Sequence, residues 1–201
     1  MYSFIKKNQL EKKVPFLILI YGLSIRIYTY LYSKSVWHDE ISIATSLEKT
    51  SFLDLHLPFS GSPGGAFIFN LIEKMMFECV GYNDYALRFF PCLWACLALI
   101  IFYYTVTRYC SKWVAILSCL FFACTSNLVY YAAELRPYSL DVLIATVIIF
   151  LYFYYRNTTQ LSLKNSVIIG GVGVVCVFAS FITPFLLASL GVALLIPKLQ
   201  K

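Results

Sequence analysis

Long apolar runs with few charges dominate the chain, and short polar segments separate them. Such runs cover residues 14–32, 85–109, 113–133, 138–155 and 166–197. A nearly uncharged run of about 20 residues is typical of a transmembrane helix. The pattern therefore predicts an all-α polytopic membrane protein with about six transmembrane helices. The last run supplies two of them if it turns near residues 180–184, and one long kinked helix is the alternative.

The one sizeable polar segment, residues 33–84, is predicted to be a loop at the outer face of the membrane. Residues 40–48 have the period of a short amphipathic helix, which Asp39 can cap. A turn rich in Pro and Gly at residues 58–65 separates it from a second amphipathic helix at 66–80. Both helices are expected to lie at the membrane interface or under the membrane domain rather than to span the bilayer.

Composition and charge agree with a membrane protein. The chain has 60% hydrophobic and 13% charged residues, whereas soluble domains have about 25% charged residues. The net charge of +6 comes from basic residues scattered at segment ends, which indicates contact with anionic lipids rather than nucleic acid. Arg26 lies inside the first apolar run, and it is expected either to face protein or to reach the head groups.

The distribution of basic residues also predicts the orientation. Four lysines precede the first run. The predicted arrangement puts ten Lys and Arg residues on the same side of the membrane as these lysines and five on the outer side. The N-terminus is therefore expected in the cytoplasm, with the chain integral to the cell (inner) membrane. We interpret residues 1–201 as one membrane domain, with a tail at 1–13, the outer loop at 33–84 and the remaining helices at 85–201.

Two adjacent acids open the outer loop. Asp39 and Glu40 follow Trp37 and His38, just beyond the first apolar run. Paired carboxylates can supply a general base together with a substrate-orienting group or a metal ligand. The competing interpretation is structural, because acids are favoured at the N-cap and in the first turn of a helix.

A second candidate is the outer hairpin Glu134-Leu135-Arg136-Pro137-Tyr138. The planar fork of Arg136 can bind a phosphate, and the competing interpretation is an ordinary interfacial turn. His38 and His56 lie in the outer loop with acids nearby, where they could help to bind a divalent cation. The residues do not define which metal that would be.

The order of these motifs resembles the N-terminal part of the GT-C superfamily of membrane glycosyltransferases. The similarity is greatest to protein O-mannosyltransferases and to the aminoarabinose transferase of lipid A. Members open the first outer loop with an Asp-Glu pair, as at Asp39-Glu40, and a proline turn then leads into an interfacial helix, as at residues 62–69. A Gly followed by Leu-Arg comes next, as at Gly81 and Leu87-Arg88, and then the hairpin at 134–140. The resemblance covers residues 14–197.

The resemblance implies sugar transfer from a polyprenyl-phosphate-linked donor to a hydroxyl or amine acceptor at the outer membrane face. Asp39 would be the general base or the acid that orients the acceptor, and Glu40 would support it or help to hold a divalent cation. Arg136 would contact the lipid phosphate. The residues lining the substrate site would be Glu134, Tyr138 and His38.

The chain departs from the family pattern in two respects. Members often have Pro-Pro where this chain has Ser62-Pro63-Gly64, and full-length relatives are typically twice as long or more. A truncated chain, or a split enzyme that a second polypeptide completes, would explain the length. The alternative functions are therefore a non-catalytic membrane subunit, a truncated remnant of such an enzyme, or a small transporter.

Overall fold

The computed structural model of the chain describes residues 2–32, 35–59, 65–155 and 162–199. Most of the predicted proline turn, including Ser62-Pro63-Gly64, lies outside the described residues. Within them the chain forms α-helices, two 3₁₀ turns and no strand. The α-helices are α1 (Tyr2–Tyr32), α2 (His38–Lys49), α3 (Phe67–Val80), α4 (Asp84–Tyr109), α5 (Lys112–Cys124), α6 (Ser126–Tyr130), α7 (Tyr138–Tyr155), α8 (Leu163–Ala179) and α9 (Thr183–Leu199).

The predicted all-α membrane architecture is confirmed. Among the described residues, three helical segments are long and apolar enough to cross a membrane: Lys13–Tyr32, Asp84–Tyr109 and Tyr138–Tyr155. A fourth span results if α5 and the segment Ser126–Ala133 are counted together, across a bend of 54°. Helices α8 and α9 are apolar but have 17 residues each, so they are shorter than these three segments.

Helix α4 is the centre of the bundle, because it packs against α1, α3, α5 and α7. Its crossing with α1 is close at Gly22. A Cβ atom added there would lie 2.7 Å from Leu99 Cδ2 and 2.9 Å from Ala123 Cβ. The absence of a side chain at Gly22 therefore lets α1, α4 and α5 approach one another.

The two predicted loop helices are present as α2 and α3, and both contribute to the largest hydrophobic core. Ile43 and Leu47 of α2 and Phe69 of α3 are fully buried in one cluster with Trp94 of α4. Lys74 of α3 joins the two helices, because its Nζ donates to the Leu47 carbonyl oxygen at 2.8 Å. The loop helices are thus an integral part of the packed core.

Asn70 closes the loop that connects α2 and α3. Its amide Nδ2 donates to the carbonyl oxygens of Leu55 at 3.2 Å and Gly65 at 2.9 Å, and its Oδ1 accepts from the Gly65 N–H at 2.9 Å. The side chain is buried. One residue of α3 therefore joins the interior of the connecting segment, at Leu55, to its last part, at Gly65.

The predicted continuous helix at residues 113–133 is wrong, because the chain breaks at Thr125 between α5 and α6. Arg26 of α1 provides the physical reason. Its NH1 and NH2 groups donate to the carbonyl oxygens of Ala123 at 3.3 Å and Phe122 at 3.0 Å. A side chain that bonds carbonyls of a helix from outside competes with the helical ladder and favours a kink.

The predicted division of residues 166–197 is confirmed. Helix α8 ends at Ala179, and α9 begins at Thr183. The Thr183 hydroxyl donates at 2.9 Å to the Cys176 carbonyl oxygen, which also accepts from the Ser180 N–H, so Thr183 joins the start of α9 to the last turn of α8. Ser180 and Thr183 are both buried at this turn, which fixes α8 and α9 as separate elements.

Candidate active site

The start of α2 determines where the two acids of the loop point. Trp37 is the N-cap residue with extended backbone, and its N–H donates to Glu40 Oε2 at 3.1 Å. Glu40 is thus the acid that reaches back to the cap, as in a capping box. Asp39 lies inside the first turn, so the prediction that Asp39 caps the helix is wrong.

Glu40 forms a buried ion pair with Arg88 of α4. Arg88 Nε donates to Glu40 Oε1 at 3.0 Å, and its NH2 donates to Oε2 at 2.7 Å. The side chains of Glu40 and Arg88 are 2% and 3% exposed. This bidentate geometry is the arrangement in which Arg and a carboxylate interact most strongly.

The hairpin between α6 and α7 is bonded to the same carboxylate. The N–H of Leu135 donates to Glu40 Oε1 at 2.8 Å. Burial alone would raise the pKa of Glu40, but the hydrogen bonds from Arg88, Leu135 and Trp37 outweigh it and lower that pKa below its usual value. Glu40 is therefore an ionised structural link between the loop, α4 and the hairpin.

Asp39 forms an exposed ion pair with Arg136, the next residue of the hairpin. Arg136 NH2 donates to Asp39 Oδ2. The Asp39 side chain is 68% exposed and that of Arg136 is 17% exposed. Glu40 fixes Leu135, and Asp39 faces away from the core. The structure therefore brings together Asp39 and Arg136, which lie 97 positions apart in the sequence. Asp39 remains accessible to a ligand from solution.

Glu134 lies on the inner side of the hairpin. Its side chain is buried, and burial raises the pKa of the carboxyl, with a hydrogen bond to Tyr130 acting in the opposite direction. A small cavity of about 10 Å³ is lined by Glu134 together with Trp37, Arg88 and Tyr130. Glu134 of the hairpin and Arg88, the partner of Glu40, thus border the same cavity.

Two of the predicted site residues lie apart from this group. The Tyr138 ring packs against Tyr131, with ring centroids 4.5 Å apart, and it borders a different cavity together with Arg26. His38 is exposed at the first residue of α2. The structure therefore joins Asp39, Glu40, Glu134 and Arg136, and leaves Tyr138 and His38 at the periphery.

The donors around Asp39 and Glu40 do not form a metal centre in the part of the chain that the structure describes. No group of three or more His, Cys, Asp or Glu side chains there could hold a metal ion. Both oxygens of Glu40 already accept hydrogen bonds. His56 is bonded to the Leu53 carbonyl oxygen at 2.8 Å. These residues do not fit the divalent cation that the resemblance implies for Glu40.

Arg88 is the site residue that the sequence interpretation did not identify. The sequence interpretation names it in the Leu87-Arg88 motif without a role in the site, and nothing in its spacing indicates a partner 48 residues away. One signal was available. Arg88 lies close to the N-terminus of α4, where the helix dipole disfavours a positive charge. A basic residue in that position indicates a carboxylate partner from another element.

Comparison with known families identifies the chain. The family model of dolichyl-phosphate-mannose-protein mannosyltransferases matches residues 62–201, which is well over half of the sequence. The match includes the Arg136 hairpin and begins after Asp39 and Glu40. No curated protein and no solved structure matches the chain. With apolar helices that can span a bilayer and a match of this extent, the chain is an integral membrane protein and belongs to the dolichyl-phosphate-mannose-protein mannosyltransferase family of glycosyltransferases.

Proposed function

We propose that this chain transfers a sugar from a polyprenyl-phosphate-linked donor to an acceptor hydroxyl or amine at the outer membrane face. Asp39 is the general base, or the acid that orients the acceptor, and Arg136 contacts the lipid phosphate. Glu40 supports the site through its bonds to α4 and the hairpin. Glu134 borders the substrate, while Tyr138 and His38 contribute at the edges.

The observation that carries this proposal is the Asp39–Arg136 pair. The reaction needs a base for the acceptor proton and a positive charge for the leaving phosphate, and the pair supplies both in adjacent positions. The acceptor proton passes to the Asp39 carboxylate while the acceptor oxygen or nitrogen bonds to the sugar carbon. The bond from that carbon to the phosphate oxygen breaks, and its electron pair leaves with the lipid phosphate beside Arg136.

The geometry of Arg136 supports its role towards an anion. A guanidinium has five N–H donors, and in the described residues the Arg136 side chain uses NH2 for Asp39. Its remaining donors can take phosphate oxygens without releasing the acid. The bonds of Glu40 to Leu135 and Trp37 hold both members of the pair in place, and such rigidity is what a preorganised site requires.

The test is a transfer assay with the purified full chain in detergent or vesicles. Dolichyl-phosphate-mannose is the probe donor, a membrane extract supplies acceptors, and release of the lipid phosphate is measured. Asp39→Asn is expected to lower the rate about 100- to 10,000-fold, the range for loss of a general base. Arg136→Lys, which keeps the charge but loses the planar fork, is expected to raise the KM for the donor.

Matched controls come from the same loop. Asp54 and Lys49 are exposed and outside the site, so Asp54→Asn and Lys49→Gln are expected to retain the wild-type rate. A wild type that transfers sugar, combined with an Asp39→Asn variant of equal rate, would overturn the catalytic assignment. A wild type that is inactive alone and gains activity with a second polypeptide would favour the non-catalytic-subunit or split-enzyme alternative.

A further inference from the structure

Arg26 is a charged residue buried inside the first membrane-spanning helix. It belongs to the span Lys13–Tyr32, and its side chain is 1% exposed. It lies six residues before the end of that span, about 9 Å along the helix axis. A buried arginine at such a depth is costly, and functional roles are common among residues of this kind.

The hydrogen bonds of Arg26 satisfy its terminal nitrogens but do not neutralise its charge. NH1 donates to the carbonyl oxygens of Gly22 and Ala123, and NH2 donates to that of Phe122. Carbonyl dipoles at the end of α5 offset part of the charge. Within the described residues, Arg26 has no acidic partner, and its buried Nε has no hydrogen-bond partner.

A cavity of about 220 Å³ adjoins this guanidinium. Its walls come from α1, α4, α5, α6 and α7 and are mostly apolar, as at Ala95, Phe122 and Val142. Asn127 and Tyr131 add polar groups, and among the described residues Arg26 is the one charged lining residue. Apolar walls with a few convergent polar groups are typical of a site that binds a small molecule.

We propose that this cavity binds a phosphate-headed lipid, with its phosphate on Arg26 and an apolar chain along the helical walls. The uncompensated cation selects an anion, and the apolar lining selects a ligand with a hydrocarbon part. In a bilayer, the molecules that combine both properties are mainly lipids with a phosphate in the head group, and basic pockets between helices bind them. The source is either a membrane phospholipid or a polyprenyl phosphate.

This site is distinct from the Asp39–Arg136 pair and goes beyond the proposed function. Tyr131 and Tyr138 border the Arg26 cavity, whereas Glu134 and Tyr130 border the smaller cavity. The two cavities share none of their lining residues. Lipid binding at Arg26 does not require that the chain be an active transferase.

The test measures lipid binding to the purified full chain in a neutral detergent, by native mass spectrometry and by thermal stabilisation. The probes are phosphatidylglycerol, polyprenyl phosphate, phosphatidylcholine, diacylglycerol and inorganic phosphate. Saturable binding of phosphatidylglycerol or polyprenyl phosphate at least tenfold tighter than that of phosphatidylcholine and diacylglycerol supports the proposal, and the tighter of the two identifies the source. Equal affinity for diacylglycerol, or full competition by inorganic phosphate alone, would overturn it.

Variants locate the binding. Arg26→Gln is expected to weaken it at least tenfold, and Arg26→Lys to weaken it less. Arg26 also donates to the carbonyl oxygens at the end of α5, so its replacement can alter the fold there. Two variants that retain Arg26 therefore provide an independent test. Ala95→Leu and Val142→Phe place extra atoms in the cavity and are expected to reduce binding without touching the guanidinium.

Two controls separate this site from other sources of lipid affinity. Arg108→Gln removes an exposed basic residue in the last turn of α4, away from the cavity, and this variant is expected to bind lipid like the wild type. Arg136→Gln removes the proposed phosphate contact of the active site and is expected to leave binding at Arg26 intact. If binding falls in Arg136→Gln and is unchanged in Arg26→Gln and both cavity-filling variants, the inference is wrong.

Discussion

Two neighbouring acids of α2 each pair with an arginine, yet the two pairs differ in nearly every other respect. Glu40 and Arg88 are almost completely buried and bonded through two nitrogens. Asp39 and Arg136 are joined through one nitrogen, and the acid is mostly exposed. Both arginines come from elements that are remote in sequence. The two acids are adjacent in α2, yet one carboxylate–arginine pair is buried and the other is exposed.

Two adjacent acids can thus have different roles, one structural and one chemical. A buried charge pair has great structural consequences when one partner is removed, because the other charge stays desolvated. An exposed pair contributes little to stability and can exchange its partner for a ligand. Successive helix residues point about 100° apart, which follows from 3.6 residues per turn, so Glu40 can face the core while Asp39 faces solution.

The largest effect is expected from breaking the buried pair. Glu40→Gln leaves the Arg88 charge buried without its anion, so the free energy of unfolding is expected to fall by about 3–5 kcal/mol. The measurement is denaturant unfolding in detergent micelles, followed by circular dichroism. The double variant Glu40→Met/Arg88→Met is the control, and it is expected to be more stable than Glu40→Gln because it removes both charges of the pair.

The same prediction has a pH dependence. The folded-state pKa of Glu40 is lowered, so its stabilising contribution is present above the unfolded carboxyl pKa, about 4.3, and is lost as pH falls through the folded value. The stability difference between wild type and Glu40→Gln is therefore expected to shrink on acidification. A difference that stays constant from neutral pH to well below pH 4 would contradict the assignment of Glu40 as an ionised buried partner.

A third acid, Glu73, is buried like Glu40 but has no hydrogen-bond partner among the described residues. Glu73 belongs to α3 and is 0% exposed. Burial raises the pKa of Glu73 well above its usual value. Glu73→Met, which removes both polar atoms, is expected to raise the free energy of unfolding by about 1–3 kcal/mol at neutral pH.

Acidification affects the two acids in opposite ways. It removes a stabilising contribution of Glu40 and a destabilising contribution of Glu73. A carboxyl with a raised folded-state pKa destabilises the fold above the unfolded pKa, and this cost disappears as pH falls below it. The advantage of Glu73→Met is thus expected to be larger at neutral than at acidic pH. Glu48→Met, at an exposed acid of α2, is the matched control and should show no such gain. A destabilised Glu73→Met would mean that the carboxyl has a role that its burial does not indicate.

The smallest effect on stability is expected at the exposed pair. Asp39→Asn and Arg136→Gln are each expected to change the free energy of unfolding by less than about 1 kcal/mol, because solvent screens the charges. The measurement is a double-variant cycle under the conditions used for Glu40→Gln. A decrease in the free energy of unfolding above about 2 kcal/mol for Asp39→Asn would contradict the assignment of a mainly chemical role to the Asp39–Arg136 pair.

The elements that the sequence predicts correctly depend on local signals. The amphipathic period predicted α2 and α3 to within two residues at each end, because one face of each helix meets the core. The polar cluster at residues 180–184 predicted the turn between α8 and α9, since Ser180 and Thr183 supply hydrogen bonds where the helix ends. Contacts within a few residues leave such patterns in the sequence.

The features that could not be predicted depend on contacts between distant residues. No Gly or Pro marks the break at Thr125, and Arg26 of another helix donates to the carbonyl oxygens of Ala123 and Phe122 just before it. The partnership of Glu40 with Arg88 spans 48 residues, and local spacing carries no information about it. The contact between Asp39 and Arg136 likewise exists only because the tertiary fold places the hairpin beside α2. The catalytic roles of these residues remain predictions for the assays to test.

The lengths of α8 and α9 have a consequence for the surrounding bilayer. A helix of 17 residues is about 26 Å long, whereas the hydrocarbon core of a typical bilayer is about 30 Å thick. If these two helices cross the membrane, the lipid beside them has to thin by a few ångströms, at fractions of a kcal/mol per ångström. The protein would then deform the bilayer on one side only and would partition preferentially into thinner membranes.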